Sequence, residues 1–328
     1  MENSVDRLIG IIIPAYNVEK YIFRAIESCI SQTFSNVEII IVDDGSSDDT
    51  LSVAKRYAER DCRVQVYTQE NKGVSSARNF ALQVCKAEYI MFLDSDDWLE
   101  PTAVEKLCEH LPKKEEKSLI ATDAYYAYFV QGSIQKMKAP FIADYTEIDA
   151  ENILPYIAKA QYKLQSSCYK LFSMSLIREK ELCFDENIRH GEDGLFVFEY
   201  LKHADSFVYF PDTLWNILER PGSATQAPYN HSWLSAVDAI SKMMEYNNSH
   251  ELDTLLKCYR VQRMTGVLCH AVLEAVHCKE DVAFLRRSLR KEVKQYLLNE
   301  KSIKNRAFFL FVTFSPIKIV AAYCKGKI

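Results

Sequence analysis

Three short clusters in the first hundred residues carry groups that could do chemistry. They are Pro14-Ala15-Tyr16-Asn17, Asp43-Asp44-Gly45-Ser46 and Asp94-Ser95-Asp96-Asp97. Each follows an apolar run, at residues 8–13, 37–42 and 89–93. If the runs are neighbouring parallel strands, one rim of a sheet gathers a proline, an aromatic ring and several carboxylates. Like charges held that close disfavour their own ionisation unless a cation is present. A divalent ion bridging to phosphate oxygens removes the conflict, because Mg²⁺-type sites use one or two carboxylates and complete their shell with substrate phosphates. An acidic pair after a strand can also simply cap the next helix, so neither pair alone identifies a site.

The elements that must position these clusters follow from periodicity. Residues 8–13, 37–42, 63–67 and 89–93 read as strands without in/out alternation. Residues 18–31, 48–57 and 73–85 read as intervening helices, with Tyr21, Ile22, Ala25, Ile26 and Cys29 on one face of the first. Strands apolar on both sides and separated by helices predict an α/β fold with a mainly parallel sheet covered on both faces. In such sheets the ligand crevice lies beyond the carboxyl ends of the strands, where the three clusters stand. No GxGxxG and no GxxxxGK[ST] occurs, so a Gly-rich phosphate turn is not the nucleotide holder. Farther on, 118–122, 125–130 and 133–138 read as strands, the last two a hairpin about Gln131-Gly132. Residues 151–160 and 192–203 read as helices, 166–172 and 207–210 as strands, and helices dominate from Ser232.

The run IGIIIPAYNVEKYIFRAIESCISQTFSNVEIIIVDDGSSDDT, then QENKGVSSARN, then YIMFLDSDDW, resembles the N-terminal blocks of family 2 glycosyltransferases in order and spacing. KLFSMSLIREKELCFDENIRHGEDGLF resembles that family's acceptor-side block, and WNILERPGSATQ a weaker one. The resemblance implies a GT-A fold, Rossmann-like, with a catalytic domain at 1–228 and a helical region at 229–328. The catalytic domain would divide into a nucleotide-sugar part (1–100) and an acceptor part (101–228). Pro14, Ala15 and Tyr16 would line the base pocket with Glu19 close by, although Tyr16 could instead be a buried anchor. Asp44 would accept a hydrogen bond from the base, and Asp43 would support its loop. Lys72 and Arg78 would face the nucleotide. Asp94-Ser95-Asp96 would be the D-x-D motif, Asp96 ligating Mg²⁺ or Mn²⁺ and Asp94 binding the ribose or a metal-bound water. Arg220 and Ser223 could close over the diphosphate. Asp193 would be the general base of an inverting displacement, with Glu192 as the fallback, and His190 reads as a surface histidine. Asp48 and Asp49 read as helix-capping residues.

The implied activity is transfer of a hexose or hexosamine from a nucleotide-sugar, with UDP as the default nucleotide. The acceptor would be a glycan or lipid-linked glycan in cell-surface polysaccharide assembly. Two other classes share parts of the pattern. A sugar-nucleotide nucleotidyltransferase would want a Gly-rich basic loop after the first strand, which Pro14-Ala15-Tyr16-Asn17 does not supply. A non-catalytic nucleotide-sugar or glycan-binding relative would have lost the D-x-D carboxylates or the base.

Charge is unevenly spread. Residues 286–328 hold eleven Lys/Arg and two Asp/Glu, or +9, so with a total of −5 residues 1–285 carry −14. An acidic body excludes nucleic acid as the partner, since that needs a basic groove. The ten cysteines form no CxxC pair, and the N-terminus lacks signal-peptide architecture, both pointing to a reduced cytoplasmic protein. Residues 307–324 are apolar but interrupted by Pro316 and Lys318. With the cations around it, residues 305–328 read as an interfacial anchor on anionic lipid at the inner face of the plasma membrane, or else as a core helix on the catalytic domain.

Overall fold

The computed structural model describes residues 7–112, 117–130, 133–139, 144–160, 166–220, 223, 227–246, 249–273, 278–300 and 302–325. The chain divides into two units. One takes Met1–Leu154, Tyr162–Glu186 and Phe196–Pro221, and the other Pro155–Gln161, Asn187–Leu195 and Gly222–Ile328.

The first unit is built on one sheet. Its strands β1 (Ile9–Ala15), β2 (Val37–Asp43), β3 (Val64–Thr68) and β4 (Tyr89–Phe92) lie in the order β3-β2-β1-β4, all parallel. Every residue of β1, β2 and β4 is buried, which is why these runs show no alternation. Helices α1 (Ile22–Ile30), α2 (Thr50–Ala58) and α3 (Val74–Val84) connect them. Helix α1 buries Ile22, Ala25, Ile26 and Cys29, the stripe expected from a 3.6-residue period. It begins four residues later than the sequence suggests, because residues 18–21 form a turn instead.

Beyond β4 the sheet becomes mixed. β9 (Lys170–Ser173) runs antiparallel to both β4 and β6 (Leu119–Val130), and β6 pairs in parallel with β10 (Ser206–Glu219). β5 (Trp98–Leu99) and β8 (Thr146–Asp149) pair antiparallel with β10, and β7 (Ser133–Ala139) with β6. The expected turn at Gln131-Gly132 lies outside the described residues. Strands 118–122 and 125–130 prove to be one, β6. The polar step between them does not break it, because Thr122 and Asp123 are fully buried and bonded: Thr122 Oγ1 donates to the Asp212 carbonyl, and Tyr209 Oη donates to Asp123 at 2.5 Å. β10 runs past Pro211 through register shifts between Tyr209 and Trp215, so the proline marks an irregularity and not an end. β9 is shorter than expected, since Tyr169 turns the chain at φ +49°. Helices α4 (Ala103–Glu109) and α6 (Met174–Glu179) belong to this unit, while α5 (Ala150–Ala160) and α7 (Glu192–Leu201) are each divided between the two units. Phe92, Phe172, Phe184, Phe196 and Tyr200 form an aromatic core with edge-on and stacked contacts of 4.1–5.8 Å.

The second unit is helical. A 3-10 turn at His231–Leu234 leads into α8 (Ser235–Glu245), α9 (His250–Leu273), α10 (Lys279–Asn299), α11 (Ile303–Phe314) and α12 (Ile317–Lys325). Val261, Met264 and Leu268 of α9, Leu285, Leu289 and Val293 of α10, Phe309 and Val312 of α11, and Val320 and Cys324 of α12 share one core. Leu310, Phe314, Ile317, Ile319 and Tyr323 of the last two helices remain exposed. The apolar tail therefore has two faces: one packs in the helical unit, and the other faces solvent. Among the described residues no helix is long and apolar enough to cross a membrane.

Candidate active site

Parallel pairing in the order β2-β1-β4 brings the three carboxyl ends side by side. Ala15 stands in register with Asp43, and its carbonyl accepts the Asp44 N–H at 2.8 Å. The Leu93 N–H reaches the Ile12 carbonyl at 2.9 Å, so the Asp94 turn begins level with the end of β1. Pro14 is tolerated in this central strand because pairing with β4 stops at Ile12. Pro14 and Ala15 are buried, while Tyr16 is 49% exposed, which removes the buried-anchor reading of that ring.

The loops after β1 and β2 are tied together. Asn17, at φ +51°, accepts from the Ser47 N–H at 2.8 Å, and its own N–H donates to Ser46 Oγ at 3.0 Å. The Glu19 carboxylate accepts the Asp49 N–H at 3.0 Å, and the Glu19 N–H donates to Asp48 at 3.1 Å. Glu19 thus braces the turn, and Asp48 also accepts from the Thr50 N–H at the start of α2. Asp43, almost fully buried, accepts from Ser46 N–H and Thr68 Oγ1, while its Oδ1 is buried with no hydrogen-bond partner.

Asp44 is equally buried and heavily engaged. Its Oδ1 accepts from Gln69 Nε2 at 2.7 Å and from the Lys72 N–H at 2.9 Å, and its Oδ2 accepts the Gly73 N–H at 2.7 Å. The carboxylate thereby fixes the chain just before α3. Gly45 makes the crossing possible: at φ +74°, an added Cβ would lie 2.8 Å from the Asn71 backbone nitrogen. Lys72 contributes its backbone here, and its side chain is exposed.

The third cluster carries two arginines. Arg78, 3% exposed on α3, donates to Asp94 Oδ1 at 3.0 Å and lies over the Phe184 ring. Arg220, just past β10, donates from Nε to Asp96 Oδ2 at 2.8 Å and stacks over Tyr21, 4.6 Å from the ring centre. The Asp94 carbonyl accepts the Asp97 N–H, so the motif is a tight turn, with Ser95 and Asp97 inward and Asp94 and Asp96 partly exposed. Asp97 accepts the Leu218 N–H at 2.8 Å. Burial, and then the charges of Asp94 and Asp96, push its carboxyl well above the usual range. Nothing in the local sequence singles out Asp97 from its neighbours. Its inward place in the turn, next to two carboxylates, sets it apart.

This donor set suits a hard divalent ion. Among the described residues no group of three or more His, Cys, Asp and Glu could hold an ion alone. Two partly exposed carboxylates on one turn are instead what Mg²⁺ or Mn²⁺ takes when phosphate and water complete its shell. Asp97 is raised first by burial and only then by these two carboxylates, each of which also meets an arginine.

Asp193 belongs to the second unit. It stands half-exposed in the first turn of α7, after Gly191 at φ +86°. Ser223 also belongs to that unit. His190 is half-buried, with its ring stacked on Trp233 at 4.4 Å, which corrects the surface-histidine reading. Burial, and then Arg263, lower its pKa.

Comparison with known proteins bears on the family and the fold. The family model described as Glycosyl transferase family 2 matches residues 10–182. Glycosyltransferase GlyA of Streptococcus pneumoniae is 31% identical over 306 residues, 91% of this chain but only 42% of GlyA. The chain thus spans less than half of that relative's length. EpsJ of Bacillus subtilis, an uncharacterized glycosyltransferase, is 31% identical over 337 residues, 98% of this chain and 93% of EpsJ. The crystal structure of Staphylococcus aureus TarS 1-349 in complex with UDP-GlcNAc has the same fold. Its TM-score is 0.72 at 20% identity, covering 97% of this chain and 92% of that one. The expected GT-A architecture is thereby borne out.

Proposed function

The chain belongs to glycosyl transferase family 2, and on that premise we propose that it is an inverting hexosyltransferase of cell-surface polysaccharide assembly. The donor is a nucleotide-sugar and the acceptor a glycan or lipid-linked glycan. UDP is the nucleotide to test first, since TarS, of the same fold, was crystallised with UDP-GlcNAc and with UDP. The single observation that carries this reading is the shared rim of β1, β2 and β4, with Asp43 and Asp44 on one side and Asp94, Asp96, Arg78 and Arg220 on the other.

On this reading residues 1–100 hold the donor, 101–228 the acceptor, and 229–328 form the appended helical region. Pro14, Ala15 and Tyr16 flank the base, and the exposed ring of Tyr16 supplies the stacking face. Asp44 keeps acceptor capacity for the base: a carboxylate has about four lone-pair sites, and three donors reach it. Asp96 and Asp94 would hold Mg²⁺ or Mn²⁺, which when bound neutralises charge on the departing diphosphate. Arg220 and Lys72 add positive charge for the same phosphates. Asp193 takes the proton from the acceptor hydroxyl as its oxygen attacks the anomeric carbon and the bond to the diphosphate breaks on the opposite face. One displacement inverts the configuration.

A peripheral site of action, at the cytoplasmic face of the plasma membrane, belongs to the same proposal. The exposed face of α11 and α12 offers Leu310, Phe314, Ile317 and Ile319 beside Lys304, Arg306 and Lys318, a composition suited to anionic lipid.

A panel of nucleotide-sugars, with Mn²⁺ or Mg²⁺ and monitored for nucleoside-diphosphate release, tests the assignment. Release of UDP from one UDP-sugar is expected. Release of pyrophosphate, or no turnover with any donor, would overturn it.

A further inference from the structure

The turn that carries Asp193 is held by an arrangement that the proposed chemistry has not used. The backbone N–H groups of Arg189 and His190 both donate to one atom, Ser235 Oγ, at 3.1 and 3.0 Å. That hydroxyl donates its own proton to the Ser232 carbonyl at 2.7 Å. One donated and two accepted bonds exhaust a serine hydroxyl. The next residue, Gly191, lies flush on α8: a Cβ there would sit 3.3 Å from Ala239 Cβ and 3.6 Å from Ala236 Cα. The Gly191 carbonyl then accepts the Leu195 N–H, which starts α7 around Asp193.

The rings add a second hold. His190 stacks on Trp233 with centroids 4.4 Å apart and planes 19° from parallel, and Trp233 stacks on His270 at 4.8 Å and 19°. The three rings come from the turn, from the 3-10 turn before α8, and from α9. The stack is partly open to solvent, since Trp233 is half-exposed and His270 exposed, while Trp233 also packs against the core of the unit. The stack fixes the residue three positions before Asp193.

We propose that Ser235 and Trp233 are positioning residues that clamp the turn of residues 189–193 and so fix the direction of Asp193. This inference rests on Asp193 being the general base. A base must stand within hydrogen-bond reach of the proton it takes, and a displacement of about 1 Å can lower the rate about 100-fold.

The test compares Trp233→Ala, Trp233→Phe, Ser235→Ala, Asp193→Asn and the double variant Trp233→Ala/Asp193→Asn in the full chain. For Trp233→Ala and Ser235→Ala, kcat should fall about 10- to 100-fold, with donor KM, UDP affinity and the cooperative melting transition retained. Trp233→Phe, which keeps a stacking ring, should recover most of the loss. In the Asp193→Asn background, Trp233→Ala should cause no further loss, because the group it aims is gone. An equal loss in both backgrounds would make the ring merely structural and overturn the clamp. So would wild-type kcat in both Trp233→Ala and Ser235→Ala while Asp193→Asn retains only a small residual turnover. Undiminished turnover by Asp193→Asn would overturn the base assignment itself, and the clamp with it. Ser235→Ala removes a single oxygen and supplies the readout should Trp233→Ala lack a folded transition.

Discussion

Replacing Asp44 by Asn changes one atom and isolates the loop that carries the proposed donor site. The carboxylate accepts Gln69 Nε2 and the Lys72 N–H on one oxygen and the Gly73 N–H on the other. An asparagine keeps one acceptor oxygen and turns two N–H donors toward the rest. With its oxygen toward Gly73, the amide nitrogen meets the Lys72 N–H. With its oxygen toward Lys72, it meets the Gly73 N–H. The Gln69 amide can flip to adapt, but backbone cannot, so one backbone donor is orphaned in either orientation. That costs about 1–3 kcal/mol, and loss of charge assistance on the surviving bonds adds roughly 1 kcal/mol. The total, about 2–4 kcal/mol, corresponds to a fall in melting temperature of about 5–12 °C for a domain of this size. Thermal unfolding followed by circular dichroism, with UDP titration by calorimetry, reads both consequences. UDP affinity should fall because the displaced loop carries Lys72 and leads into Arg78. An unchanged melting temperature together with unchanged UDP affinity would refute the reasoning.

His190 and the exposed tail provide two further tests. The lowered pKa of His190 means that the fold prefers the neutral ring, so its contribution to stability is complete above the ordinary value of 6.5 and is lost as pH falls below it. His190→Phe keeps a ring for Trp233 but does not titrate, so its melting temperature should drop less than wild type between about pH 7.5 and 5; equal drops would contradict this. Exchanging both Phe314 and Ile319 for Ser should weaken binding to phosphatidylglycerol vesicles by at least about 30-fold, from the loss of two insertable side chains. Vesicle sedimentation unchanged by the pair would remove the membrane reading. Truncation at 305 is the poorer experiment, because it also strips Phe309, Val312, Val320 and Cys324 from the helical core.

The N-terminal half was legible because its physics is local. β1, β2 and β4 are buried along their whole length, so their apolar runs stand out, and the residues that end them fall on one rim. What the sequence hid were partnerships over long separations. Asp44 reads as a ligand of the base, yet its first duty is to brace residues 69–73. Arg220 meets Asp96 across 124 positions, and no local pattern announces that pair. The double role of Ser235 depends on backbone groups 45 and 46 residues away. β10 read as four residues because Pro211 and polar positions interrupt its pattern, whereas the fold absorbs them in a bulge. The tail was ambiguous for a different reason: α11 and α12 bury one apolar side and expose another, and composition alone does not assign them.

The proposed chemistry depends most on Asp94 and Asp96 holding a cation against a diphosphate. Titrating UDP calorimetrically into wild type and Asp96→Ala, each with Mn²⁺ and with EDTA, measures this directly. Wild type with Mn²⁺ should bind at least about tenfold more tightly than either the EDTA sample or the variant, a difference of about 1.4 kcal/mol. Equal affinity in all four samples would contradict it.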